Sequence, residues 1–161
     1  MTFGYFLSVF FHIVFASFWI GGMLFLPLVV LPGIKNHPDR IALLYKTGMA
    51  FRLFGWVALG GLVLTGVLNL YLRGLPFSWT FFAQSDYGRL LSLKLLLFLA
   101  TLAAGGVHDF YFGKKALETL QASDNRRLKM LARWSGRVSL LLALAMAFIG
   151  VLLSRGGSLG Q

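Results

Sequence analysis

The chain contains no cysteine. That absence excludes a disulfide framework, a thiolate metal site and a cysteine-held iron–sulfur cluster. Acids are almost absent too. Only five occur, Asp39, Asp86, Asp109, Glu118 and Asp124, and none lies deeper in a long apolar run than Asp109, near the inner end of the third. A proton relay built on intramembrane carboxylates is therefore not expected. Hydrolytic chemistry is not expected either, because no set of nucleophile, base and acid stands out.

What remains is mostly apolar. Hydrophobic residues make up 58% of the 161 residues and charged residues only 12%. A soluble domain of this size cannot hide so much apolar surface, so the composition specifies an integral membrane protein. The net charge of +10 would suit nucleic acid. Here the basic residues flank apolar runs, which points to membrane topology instead. The first run is too long, and its start too poor in basic residues, for a cleavable signal peptide.

Four apolar runs are each long enough to cross a hydrocarbon core of roughly 30 Å as helix. They lie near residues 5–31, 51–72, 90–112 and 138–154. Backbone groups in lipid must bond internally, so helices are required. The fold class expected is all-α: one transmembrane domain over residues 1–161, folded as a four-helix bundle. Loop charges set its orientation. Lys35, Arg40, Lys46 and Arg52 border the first loop, and Lys114, Lys115, Arg126, Arg127, Lys129, Arg133 and Arg137 the third. The second loop carries only Arg73 and Arg89, and the tail only Arg155. The first and third loops are thus expected in the cytoplasm, and both termini in the periplasm.

The second loop, "RGLPFSWTFFAQSDYGR", is rich in aromatic residues and is expected to lie in the outer interface as a lid. The third, "KKALETLQASDNRRLKMLARW", alternates basic residues with leucines. It reads either as an interfacial helix or as a solvated connector. "GWVALGGLVLTG" on the second helix and "ATLAAGG" on the third are dense in small residues. Such faces let membrane helices approach closely, or leave room for a flat cofactor.

The polar residues inside the spans are the candidates for function. By helix rise, His12, Lys94 and Asn69 stand about seven, five and three residues in from the outer ends of their helices. They share one layer. Intramembrane ionisable residues are costly and often mark a site. His12, Trp19 and Met23 recur at helical spacing on one face of the first helix. His108 belongs to the opposite end of the third helix, on the order of 20 Å from the His12 layer. It serves as a metal ligand only if a second, inner site exists. Plainer roles stand beside these: Lys94 snorkelling to the interface, Asn69 bridging helices, His37 as a loop residue, and His108 at a helix C-terminus. For the second ring nitrogen of His12, a local partner is expected in the hydroxyl or carbonyl of Ser8. Imidazole binds haem iron and copper alike. Copper(I) sites favour thiolate and thioether, yet there is no cysteine and the five methionines are scattered.

His12, Trp19, Gly22 and Pro27 within "FHIVFASFWIGGMLFLP" resemble the first helix of HemJ-type membrane proteins. "MAFRL", Met49 to Leu53, resembles that family's entry to helix two, and Lys94 its helix-three lysine. "PDRIALLYKTGMAFRLFGWVALGGLVLTGVLNLYLRG" and "YGRLLSLKLLLFLATLAAGGVHDF" look more like the CopD type, named for copper resistance. The resemblance to this CopD/HemJ-like superfamily covers nearly the whole chain. It implies a bacterial inner-membrane protein that binds b-type haem in the outer half of the bundle. His12 would be an axial ligand, Lys94 a second ligand or a propionate partner, and Trp19 and Asn69 would line the site. The role would be electron transfer or oxidation of a membrane substrate. The alternatives are copper transport, with His12 as a copper ligand, and a non-catalytic subunit of a respiratory complex. The partners expected are the lipid bilayer and a larger redox complex or a periplasmic copper protein, with no nucleic acid.

Overall fold

The structure is a computed structural model that describes residues 3–107 and 126–156. Among the described residues the chain is all-helical, without strands. Four helices are long and apolar enough to cross a membrane: Phe3–Gly33, Arg40–Leu72, Asp86–Gly106 and Trp134–Ser154. Large apolar side chains such as Phe6, Leu64, Leu96 and Leu141 are exposed, while the buried residues include small ones, Ala58, Thr101 and Ala143. That is the inside-out economy of a chain whose solvent is lipid. The chain divides after Pro76 into two compact units.

In the first unit, helix α1 (Phe3–Phe25) has no helix breaker and no charge. It runs into a π-helical turn, Leu26–Val30, and a last helical turn, Leu31–Gly33. Proline explains the widening. Pro27 has no amide hydrogen, and its ring crowds the carbonyl four residues back. The chain answers with a wider turn, in which the Leu31 amide bonds to the Leu26 carbonyl five residues away. The short connector that follows is pinned by the Asp39 amide, which donates to His37 Nδ1 at 3.1 Å.

Helix α2 (Arg40–Leu72) starts eleven residues before the expected span. Arg40 and Lys46 read as loop because they are charged. Nothing between them breaks a helix, so the helix extends past the apolar part. It ends at Gly74, whose φ of +65° suits glycine. The Leu75 amide bonds to the Leu70 carbonyl and the Gly74 amide to the Tyr71 carbonyl, at 3.2 and 2.9 Å. This is the Schellman arrangement.

In the second unit, the aromatic loop folds into a short helix, α3 (Trp79–Gln84), packed on α4 (Asp86–Val107). Ser78 caps α3 by accepting from the Phe81 amide. Ser85 Oγ accepts from the Gly88 amide at 3.0 Å and donates to the Phe81 carbonyl at 2.7 Å. Gly88 is needed there, since a β-carbon would collide with the Phe81 carbonyl. Helix α5 (Arg126–Ser154) packs on α4, with Gly150 near its end beside Lys94 near the start of α4. The two are therefore antiparallel. The third loop lies outside the described residues up to 125. From Arg126 onward its sequence is helix, continuous with the fourth span.

Candidate functional site

Helices α1 and α2 pack by placing aromatic rings over glycines. The Phe51 ring of α2 fills the space at Gly22, and the Phe15 ring of α1 fills the space at Gly61. Trp19 lies against Gly55, where a β-carbon would come within 2.7 Å of its ring. The same Trp19 ring stacks on Phe51, with centroids 5.9 Å apart and planes 22° apart. The pairs run antiparallel along the seam and set the height of everything else in it.

At the level of Thr65, rings give way to polar groups. His12 Nδ1 lies 2.8 Å from Thr65 Oγ1. Thr65 Oγ1 also lies 2.6 Å from the Gly61 carbonyl, and Ser8 Oγ donates to the Thr65 carbonyl at 3.3 Å. Ser8 and Thr65 are buried. Gly66 leaves room for the imidazole, since a β-carbon there would stand 3.6 Å from His12 Cε1. The expected Ser8 partner for His12 is thus replaced by Thr65 on the facing helix. Ser8 bonds instead to the backbone of that residue.

This network suits one tautomer of the histidine. A carbonyl only accepts, so the single hydroxyl proton of Thr65 goes to Gly61. With its proton on that carbonyl, the hydroxyl oxygen accepts from His12 in the tautomer that carries its hydrogen on Nδ1. In that neutral tautomer the lone pair is on Nε2. A ligating histidine is typically oriented in this way, through its other ring nitrogen.

Two further sequence-derived candidates lie in the same unit. Trp19 is two turns from His12 along α1, and Asn69 is one turn from Thr65 along α2. Among the described residues, Trp19 Nε1 and Asn69 Oδ1 are the buried side-chain polar atoms without a hydrogen-bond partner. Leaving such an atom unpaired costs about 1–3 kcal/mol. They stand on opposite sides of the His12–Thr65 pair. Thr65 itself was missed from sequence, although a signal existed: Thr65, Asn69 and the C-cap residue Arg73 recur every four residues along a stretch that is otherwise apolar after Arg52.

Lys94 belongs to the second unit. Its Nζ would stand 3.6 Å from a β-carbon at Gly150, so the side chain uses the space that this glycine leaves on α5. Two turns further along α4, Thr101 is fully buried and donates to the Leu97 carbonyl at 2.8 Å. His108 lies outside the described residues. His37 is held in the connector by its bond from Asp39.

The chemistry on offer is limited. Among the described residues, no group of three or more His, Asp or Glu side chains could hold a metal ion together. Nothing here supports haem b. The hollows at Gly22, Gly55 and Gly61 in the α1–α2 seam are filled by Phe51, Trp19 and Phe15, so these glycines serve helix packing and do not leave room for a flat cofactor. The seam offers one oriented imidazole with hydroxyl support, set among aromatic rings.

The profile of the family described as copper resistance protein D matches residues 45–153. This stretch begins within α2 and ends in α5, so α1 with His12 precedes it. A protein of Aquifex aeolicus (strain VF5), described only as uncharacterized, is 34% identical over 152 residues, covering 93% of this chain and 95% of that protein. No solved structure matches the chain. With two thirds of its length matched and four helices able to span a membrane, the chain is a multi-pass membrane protein that belongs to the copper resistance protein D family.

Proposed function

We propose that this chain handles copper within the membrane, and that His12 is the imidazole that meets the ion as it passes. One observation carries the reading. His12 Nδ1 stands 2.8 Å from Thr65 Oγ1, so the facing helix orients the imidazole through that nitrogen, and in the tautomer with its hydrogen on Nδ1 the basic nitrogen is Nε2. Imidazole is a good donor for copper. The family description agrees with the metal.

A single nitrogen is a weak site. Weakness suits passage, because a conducted ion must bind well enough to enter and loosely enough to leave. It does not suit storage, which calls for several converging donors. Copper is thus substrate, not resident cofactor. Placement of the site on the periplasmic side, in a bacterial inner membrane, follows from the loop charges and is part of the same proposal.

The test is copper movement across proteoliposomes, compared between the wild-type protein and His12→Ala at equal reconstitution. Wild type should move copper, and the variant should lose at least about tenfold of the rate, the equivalent of about 1.4 kcal/mol. Equal rates in a folded variant would remove His12 from the mechanism. A Soret band in the purified wild-type protein that disappears in His12→Ala would replace copper handling by haem binding.

A further inference from the structure

The α1–α2 seam holds a buried polar atom that the copper reading does not use. Asn69 Oδ1 is buried and, among the described residues, has no hydrogen-bond partner. Helix register puts it in the seam. Asn69 lies about five turns beyond Phe51 on α2, at the same helical angle, and Phe51 faces α1 at Gly22. A helical side chain leans toward the N-terminal end of its helix. The Asn69 carboxamide therefore leans toward Thr65 and the imidazole that Thr65 orients.

The facing helix brings a second polar group to the same turn. Ser8 Oγ donates to the Thr65 carbonyl at 3.3 Å, and a helical carbonyl points to the residue four positions on, here Asn69. With its hydrogen given away, the Ser8 hydroxyl keeps lone pairs that accept. One turn further along each helix, the Arg73 guanidinium stands over the Tyr5 ring, 5.9 Å from its centroid. Arg73 is exposed. From that charged end the seam runs past Asn69 and Ser8 to Thr65 and His12. Beyond His12 its character changes. Trp19 stacks on Phe51 and lies against Gly55.

A buried water typically makes about three hydrogen bonds. The turn between Thr65 and Asn69 offers two acceptors, Asn69 Oδ1 and Ser8 Oγ, for the two hydrogens of one water. Trp19 Nε1 is unpaired as well, but the Phe51 ring and Gly55 beside it offer a water no side-chain partner. We propose that water occupies the seam between Tyr5 and His12, anchored by donating to Asn69 Oδ1. This path opens at the Arg73 end and is closed by rings at the Trp19 end, so His12 exchanges its ring hydrogen with solvent from one side of the membrane only. The proposal stands whether or not copper is the cargo.

The experiment is water-edited solid-state NMR of the whole labelled protein in lipid, which reads the transfer of magnetisation from water to nearby side chains. The Asn69 carboxamide should receive it as fast as Arg73 does, and Trp19 Nε1 should stay dark. Transfer to the His12 ring hydrogen should be seen in wild type and lost in Asn69→Leu. It should return in Asn69→Ser, whose hydroxyl accepts. A dry Asn69 in wild type would overturn the proposal, as would transfer to His12 unchanged by Asn69→Leu. Transfer to Trp19 equal to that at Asn69 would refute the closed end. If Asn69→Leu does not fold, the wild-type contrast between Asn69 and Trp19 decides alone.

Discussion

Adjacent glycines on the first two helices should respond in opposite ways to the same added methyl group. Gly22 faces the Phe51 ring, whereas a β-carbon at Gly21 meets nothing within 4 Å. The Phe51 ring cannot swing aside freely. It stacks on Trp19 at 5.9 Å and lies against Phe18 at 6.2 Å, so making room at Gly22 disturbs both contacts. Overpacking of this kind costs typically about 1–3 kcal/mol. At Gly21 the methyl costs no contact and recovers up to about 1 kcal/mol of helix propensity. The two variants should therefore differ by about 2 kcal/mol or more, with Gly22→Ala the weaker. Gly61 and Gly60 repeat the comparison one segment along, since Phe15 fills the space at Gly61 and nothing lies near Gly60. Reversible unfolding in mixed micelles, followed by circular dichroism, reads the difference. Equal stabilities within either pair would mean that α1 and α2 do not meet on this face, and the His12–Thr65 contact would fall with it.

Thr65→Val keeps the shape of the side chain and removes the hydroxyl. The imidazole N–H then loses its acceptor, and stability measured in the same micelles should fall by about 1–3 kcal/mol. Copper movement should fall as well, though less than in His12→Ala, because the donor remains and only its orientation is lost. Topology is tested by reporters fused after Gly74 and after Gln121. The loop charges place the first outside and the second in the cytoplasm, and reversed signals would move the His12 layer to the inner leaflet.

Much of the architecture was legible because lipid imposes strict rules. Apolar length gave four spans, and the small residues of "GWVALGGLVLTG" correctly marked a close helix contact. The sequence periodicity also put His12 and Trp19 on one face of α1, where both meet α2. What fills each glycine hollow was not legible. Phe51 reaches Gly22 from another helix, and no local pattern encodes that pairing. The same limit explains Thr65. Ser8, one turn before His12, was the natural local partner, but the facing helix supplied a hydroxyl at a better position. The early start of α2 was hidden for a different reason: Arg40 and Lys46 end the apolar pattern without ending the helix. The span expected over residues 5–31 ran straight through Pro27, and the backbone accommodates the proline in a π-helical turn and continues to Gly33.

The measurement that bears most directly on the copper reading is nitrogen NMR of the His12 imidazole in lipid, with and without copper(I). The account predicts a hydrogen on Nδ1, a pyridine-like Nε2, and a change confined mainly to Nε2 when copper(I) is added. A hydrogen on Nε2, or a ring indifferent to copper(I) in folded protein, would contradict it.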